Sequence, residues 1–521
     1  MTDTTSTKPH YYRPPQPSAP QSFESDLCVY GGNSGGIIAA LTARKNGLTV
    51  TLLEPSDHLG GLTTGGLGYS DIGNKFAIGG LSRQFYKRLG QKYSQEESWL
   101  FEPQIAERVY QEWLDEVGVT CYFGSFLDTV ELDQGRITKI TTRNGMTVIA
   151  KQFIDATYEG DLMAKAGVSY TVGREGNDVY GETYNGQQVL DKHQFNYPVD
   201  PYLIQGEPSS GLLPGIDDAP YEQGAGDHCV QAYNYRLCLS DDPAKRVPFT
   251  EPEGYDPADY ELLRRYCQAG YIPEFDKFDK LVNSVYDMNN WGAVSSDFIG
   301  MNHDYPDASY EDREQIYQAH VAWTKGLMWF WMTDPSVDSS FQNRFSTFGW
   351  NAEAFEDTGH FPPALYVREA RRMVGDIVMT EHHCMGRETA DDAIGLAAYV
   401  MDSHNCRRIV IDGKVRNEGD VQIHSGPPYP ISYRCIIPKR GECRNLLVPY
   451  CISASHIAFG SIRMEPVFMI MSQSAVEAAT IAIAENVDVQ EVAYSKLKSR
   501  LLEAEQVIDA VPMVKNIQLG E

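Results

Sequence analysis

Apolar residues are spaced in distinct ways along the chain. Leu27 to Tyr30 is a short apolar run, Ile37 to Lys45 has an alanine-rich helical pattern, and Leu48 to Leu53 is a second apolar run. This spacing predicts strand, helix and strand in close succession. Helices are predicted over Leu81–Leu89 and Pro103–Val117. In the second, Ile105, Val109 and Trp113 recur every fourth residue and form an apolar stripe for a core. Four short alternating runs follow, Thr120–Phe123, Phe126–Leu132, Ile137–Thr141 and Thr147–Ile154, with turns at Gln134-Gly135 and Asn144-Gly145. Asn-Gly between strands is a hairpin signal, so a small β-meander is expected. Asp161 suits the start of a short helix, Leu162–Ala166. Periodicity is poor from residue 173 to about 360, apart from a long helix predicted over Tyr310–Met332. The C-terminal part returns to a strand, Asn445–Pro449, and an amphipathic Ala- and Ser-rich helix, Val467–Glu485. Pro466 lies near that helix's first turn, where its missing N–H costs nothing.

The first strand and helix are joined by Gly31-Gly32-Asn33-Ser34-Gly35-Gly36, and the second strand ends on Glu54. A tight glycine turn lets backbone approach a pyrophosphate. The helix N-terminus offers N–H groups and a positive dipole end, and an acid at the end of the second strand accepts from ribose hydroxyls. A dinucleotide site is therefore expected. Asn33 stands where the usual pattern has its middle glycine. Asn tolerates a left-handed backbone, so the expectation is a surviving turn with the Asn33 side chain facing the phosphates.

Composition narrows the partners. The formal net charge is -27, with 42% hydrophobic and 22% charged residues. Nucleic acid and anionic membranes are poor matches for such a surface, and no transmembrane segment is expected. Ten scattered cysteines without zinc-type or C-x-x-C spacing read as reduced thiols of a cytoplasmic enzyme. Residues 1–25, rich in Pro, Ser and Thr, read as a disordered or extended tail. The nucleotide fold then occupies 26–172 and 361–521, with a substrate domain at 173–360. Five of the seven tryptophans fall in that middle part, where they either wall a pocket or form plain core.

Gly60, Gly61 and Thr63 follow the acid closely. The segment Phe153-Ile154-Asp155-Ala156-Thr157-Tyr158-Glu159-Gly160-Asp161-Leu162 closes the meander. Ser453 to Pro466, SASHIAFGSIRMEP, precedes the last helix. With these motifs the chain resembles the FAD-dependent oxidoreductase family of glutathione-reductase-like fold, from Asp26 to about Ile508. Further likeness lies at Ala232–Arg236, Asp287–Asn290 and Leu365–Gly375. The resemblance implies an α/β fold. It has a Rossmann-type FAD-binding domain, an inserted β-meander and a mixed α+β substrate domain. It also implies that Gly31, Gly32, Asn33, Ser34, Gly35, Gly36, Glu54, Gly60, Gly61, Leu62, Thr63, Ala156 and Thr157 bind FAD. Arg463 and Gln473 fall where the family brings its C-terminal segment to the flavin. The final helix departs from the family, with Ser472-Gln473-Ser474-Ala475-Val476-Glu477 where relatives are glycine-rich. Glu477 is expected to loosen the helix approach there.

The candidate chemistry is hydride transfer from a C–H bond of a small polar alcohol or amine to the flavin, with reoxidation by oxygen or another acceptor. His456 is the first candidate for a proton acceptor, or else a buried structural histidine; His303 and Tyr366 are weaker candidates. Arg368, Arg371 and Arg372 crowd one segment. Arg368 or Arg371 either grips a substrate carboxylate or pairs internally. Glu381-His382-His383-Cys384 is no metal site, because consecutive ligands point in different directions. No second glycine fingerprint or redox-active cysteine pair appears. Two alternatives stay open. One is a reductase, monooxygenase or halogenase-like enzyme fed by NAD(P)H or a reductase partner; the other is a non-catalytic flavin-binding protein. A monomer and a homodimer are both compatible with the sequence.

Overall fold

The structure is a computed structural model that describes residues 8–15 and 21–509. Its centre is a strand, Gln21–Tyr30, flanked in parallel by Val50–Leu53 and Met146–Asp155. Leu27 pairs with Val50, and Tyr30 with Asp155, so all three strands end at one edge. Cys121–Tyr122 extends the sheet beyond Val50–Leu53. The strand Met146–Asp155 serves two neighbours. Its N-terminal half pairs antiparallel with the meander (Ile140 to Val148). Its C-terminal half takes up Leu446–Leu447 in parallel (Phe153 to Leu446). The meander is thus a branch of the nucleotide sheet.

Helix Ser34–Lys45 returns from the glycine turn and packs against helix Glu465–Glu485, joining the chain's two ends in one core with Ile37, Ile38, Phe468 and Met471. By length and composition alone the C-terminal helix is long and apolar enough to cross a membrane. It is, however, a core helix, with 83% of its most apolar window buried. The other predicted helices occur as Gly80–Lys92, Pro103–Val117, Asp161–Lys165 and Tyr310–Thr333.

A second lobe is built on a five-stranded antiparallel sheet. In spatial order its strands are Phe278–Lys280, Val285–Met288, Leu237–Ser240, Gly349–Asn351 and Arg246–Val247. Tyr310–Thr333 lies in its core with Leu327, Phe330 and Trp331. That core runs past residue 360, taking in Phe361, Leu365 and Val367. Of the five tryptophans, Trp323, Trp331 and Trp350 are buried and Trp291 and Trp329 half-buried.

The tail reading needs correction where the chain is described. Gln21–Ser25 are the first half of the central strand. Residues 8–15 are docked: Tyr12 is buried with Phe126 and Tyr310, and the Tyr11 and Tyr12 amides donate to Glu314. Residues 1–7, 16–20 and 510–521 lie outside the described residues.

Candidate active site

The glycine turn is held by close backbone contacts. Gly31 has φ +107°, and a Cβ there would lie 2.5 Å from the Ala156 carbonyl oxygen. A Cβ on Gly36 would strike the Gly31 carbonyl. Both positions demand glycine for lack of space. Asn33 does not need the left-handed region: it is extended, at φ -65°, and starts the helix. Its side chain donates to the Ala156 carbonyl at 2.9 Å and fills the space above Gly61. It therefore ties three turns together.

Glu54 is buried at the strand end and accepts from the amides of Gly32 (2.5 Å) and Ser56 (2.7 Å). Burial pushes its carboxyl up to about 7, against the pull of these hydrogen bonds. A cavity of about 780 Å³ opens beside it, lined among others by Asn33, Glu54, His58, Gly61 and Thr157. His10 and Tyr11 of the docked N-terminal segment lie on its wall. Gly60 (φ +94°) and Gly61 (φ +58°) turn the chain along this cavity, and the Leu62 amide donates to the Tyr158 hydroxyl. Thr157 bonds Asp155 at 2.6 Å, and Ala156 continues the sheet from the Tyr30 carbonyl.

At the helix N-terminus the Gly35 amide donates to the Tyr450 hydroxyl at 2.8 Å. Glu465 lies beside it, accepting from Ser34 (2.5 Å), Thr63 (2.8 Å) and Tyr158 (2.7 Å). Among the described residues no cation lies within ion-pair distance of Glu465, and burial raises its carboxyl above the usual range. This is an anion-binding end, made of a helix dipole and hydroxyl donors. Glycine cradle, helix N-terminus and desolvated ribose acid together fit the diphosphate and ribose of FAD.

Beyond Tyr158 and Glu465 lies a smaller cavity, about 300 Å³, with Tyr366, Arg368, Glu369 and Arg463 on its wall. Here three residues singled out in the sequence converge. The guanidinium carbon of Arg368 sits 4.7 Å from the Tyr366 ring centre and that of Arg463 5.8 Å. Arg463 also donates to the Tyr366 hydroxyl at 3.1 Å. The charges continue as an alternating chain. Arg463 pairs with Asp402 (3.1 Å), Asp402 with His404 (3.4 Å), His404 with Asp297 (3.0 Å) and Asp297 with Arg368 (2.9 Å). Burial opposes each charge, but the flanking partners outweigh it. They hold the Asp402 and Asp297 carboxyls below their usual range and raise His404 above its own.

Other sequence candidates fall elsewhere. His456 is buried with both ring nitrogens engaged, Nδ1 with Glu369 (2.7 Å) and Nε2 with Ser403 (3.0 Å). It backs Glu369 and does not line the cavity. It opens a helix, His456–Ile462, within the segment expected to be a loop, and Ser455 caps that helix. Gln473 faces away, accepting from the Leu81 amide at the start of helix Gly80–Lys92. Glu477 does not loosen the helix contact: Asn46 and Arg500 hold it. Arg371 pairs with Asp161 and Asp307, and Arg372 with Glu175 and Glu369, so internal pairing accounts for both. His303 lines a separate cavity with His228, and burial lowers it to about 4. Glu381 accepts from the amides of Thr183 and Tyr184. No cluster of three or more His, Cys, Asp or Glu able to hold a metal occurs among the described residues.

Tyr158, Tyr450, Glu465, Asp402, His404 and Asp297 went unselected in the sequence. Tyr450 follows the last sheet strand by a few residues, at the strand end where α/β folds bind ligands, a usable signal. Asp402, His404 and Asp297 carry no local signal, because partners from three distant segments define them.

A family model described as FAD dependent oxidoreductase matches residues 26–501. No curated protein matches the sequence. Among solved structures, the chain is similar to the L-amino acid deaminase from Proteus vulgaris, at 14% identity over 35% of this chain and 57% of that one, with a TM-score of 0.24. It is also similar to the 3-ketosteroid-delta4-(5alpha)-dehydrogenase from Rhodococcus jostii RHA1, at 14% identity, 29% and 51% coverage and a TM-score of 0.20. A flavin-containing monooxygenase from Stenotrophomonas maltophilia shares 16% identity over 30% of this chain and 43% of its own, with a TM-score of 0.20. The chain spans about half the length of these solved proteins. The family match, unlike these partial likenesses, runs through both lobes and includes the glycine cradle, Glu54 and the Tyr366–Arg463 cavity. The chain belongs to the FAD-dependent oxidoreductase family, and FAD is the cofactor of this enzyme.

Proposed function

We propose that this oxidoreductase removes a hydride from a C–H bond of a small polar organic molecule, an alcohol or an amine. The observation that carries the reading is the pairing of Arg368 and Arg463 across Tyr366 on one wall of a cavity of about 300 Å³. The cavity adjoins the cradle through Tyr158, which lines both and donates to Glu465. When bound, FAD supplies the hydride acceptor and passes the electrons on to oxygen or another acceptor. In the residues' part of the mechanism, Gly31, Gly36 and the N-terminus of helix Ser34–Lys45 hold the diphosphate, and Glu54 the ribose. Arg463 and Arg368 orient a substrate oxygen, with Arg463 supplying direct hydrogen bonds and Asp402 and Asp297 keeping both forks in register. Glu369 lies on the same wall. Burial opposes its charge, yet His456 and Arg372 hold its carboxyl below the usual range, so it serves as an acceptor for a substrate N–H or O–H. His456 then acts through Glu369. The strand order and the cradle also support placing the nucleotide lobe in the glutathione-reductase-like class.

The test is anaerobic mixing of the holoprotein with a panel of small hydroxy and amino compounds. Bleaching of the flavin by one of them, with oxygen consumption when air is admitted, supports the reading. Bleaching by NAD(P)H alone would move the enzyme to the reductase or monooxygenase class.

A further inference from the structure

We propose a second ligand site, for a hydrophobic organic monoanion, in the second-lobe cavity that the buried Arg408 lines. This cavity, of about 1130 Å³, shares no lining residue with either cavity at the FAD cradle. One wall is a continuous aromatic stack. Tyr260 lies 4.8 Å from Trp323, and Trp323 lies 4.8 Å from Phe298, centre to centre and nearly parallel. Leu262, Leu263 and Val294 add apolar surface.

Arg408 is the unusual member. It is 4% exposed, on the strand Arg407–Ile411. Among the described residues its only side-chain hydrogen bond is a long one, 3.4 Å from a terminal nitrogen to the Ala293 carbonyl, and its Nε has no partner. No carboxylate lies within 4.0 Å of it. Each other buried arginine, from Arg174 to Arg463, has a carboxylate within 3.1 Å. The nearest interacting acid, Asp297, is already engaged by Arg368 and His404. Burial lowers the Arg408 guanidinium to about 10, which leaves it charged at neutral pH.

A buried cation without a counter-ion is costly, and a carboxylate from a ligand would supply the missing charge and a two-pronged acceptor. The mouth selects the kind of anion. Asp256 and Asp259 are exposed there, with Glu253 paired to Lys8, and disfavour small hydrated or multiply charged anions. A single charge on a flat apolar body meets all three features: the cation inside, the aromatic wall along the cavity and the acidic rim outside. The site rests on features independent of the proposed reaction.

The experiment uses the FAD-loaded protein and three probes of one shape: 2-naphthoate, 2-naphthalenemethanol and 2-naphthylmethylamine. Binding is read by calorimetry and by quenching of tryptophan fluorescence, with the flavin visible band recorded in parallel. The expected result is preferential binding of naphthoate without a flavin shift. Arg408→Gln should weaken it by about tenfold to a hundredfold, and Arg408→Lys should keep part of the affinity. Val294→Trp, which fills the cavity and leaves the cation in place, covers the case in which Arg408→Gln does not fold, and should abolish binding. Equal binding of the neutral alcohol, unchanged affinity in Arg408→Gln or Val294→Trp, or competition by inorganic phosphate would each overturn the proposal. A naphthoate-induced flavin shift would place binding at the cofactor and overturn it as well.

Discussion

The Glu465 carboxylate lies 2.5 Å from the Ser34 hydroxyl, at the N-terminus of the helix that follows the glycine turn. In the reading proposed above, the FAD diphosphate takes up the Ser34 and Thr63 hydroxyls that donate to Glu465, so two anions contend for one place. Glu465→Gln is expected to bind FAD about tenfold more tightly. Burial raises the Glu465 carboxyl above its usual range, so its neutral form grows as pH falls. FAD binding to the wild-type apoprotein should therefore tighten on acidification, and Glu465→Gln should flatten that dependence. Flavin fluorescence quenching during titration measures both. Weaker binding in the variant would mean that Glu465 holds the cofactor's surroundings and does not compete with it.

Glu54 links stability to pH with a definite sign. Its carboxyl moves from an ordinary 4.5 to about 7 in the folded protein because it is buried. Between those values the folded chain holds a proton that the unfolded chain releases. Stability from this group is thus lost as pH rises across that window, by up to about 3 kcal/mol. Thermal midpoints of the apoprotein at pH 5 and pH 8 should fall less in Glu54→Gln than in wild type. A larger fall in the variant would contradict the assignment.

Asp161 carries two buried cations, Arg313 and Arg371, each at 2.7 Å. Burial works against its charge, yet the two arginines hold its carboxyl at about 2. Asp161→Asn takes the ion-pair partner from Arg313 and leaves Arg371 with Asp307 alone, and a loss of roughly 3–5 kcal/mol is expected. Urea unfolding followed by tryptophan fluorescence checks it; a midpoint equal to wild type would show that the arginines find other partners.

Arg463→Lys keeps the charge beside Tyr366 but loses the planar fork that also reaches Gln231 and Asp402. With the substrate that bleaches the flavin, kcat/KM should fall about a hundredfold, while FAD content stays at the wild-type level. Loss of FAD together with activity would assign Arg463 to cofactor binding.

The docked N-terminal segment forms part of the larger cavity through His10 and Tyr11. Removing residues 1–15 should raise the FAD dissociation rate several-fold, as read by dilution and gel filtration. It should leave the helical content intact, since Tyr12 packs on Phe126 and Tyr310 at the surface of the fold and meets Arg143 and Glu314 by polar contacts. Unchanged retention would make the segment a surface contact only.

Much of the nucleotide lobe was legible because its signals are local. Strand, glycine turn, helix and terminal acid all lie within Asp26 to Glu54, and Pro103–Val117 and Tyr310–Thr333 follow from apolar spacing. Asn33 was misjudged because its residue type permits a left-handed turn, whereas the Ala156 carbonyl gives it a reason to stay extended. His456 was read either as a proton acceptor beside a functional segment or as a buried structural histidine; it is buried, and two distant residues, Glu369 and Ser403, claim its nitrogens. Residues 8–15 read as tail because composition carries no information about Phe126 and Tyr310, which receive Tyr12. Arg368 and Arg463 were nominated separately; only the tertiary fold brings them to the same tyrosine.

Helix Ser34–Lys45 packs on helix Glu465–Glu485, and the glycine turn is completed by Ala156. The fingerprint is thus completed by Ala156 and backed by a helix whose first residue, Glu465, comes 431 residues after Ser34. A chain carrying only the N-terminal half has the fingerprint and much of the cradle wall, but lacks the helix that packs behind them. Stable cofactor capture then requires a chain that reaches Glu485, and fragments that stop before Glu465 should emerge colourless even where their first strands have folded.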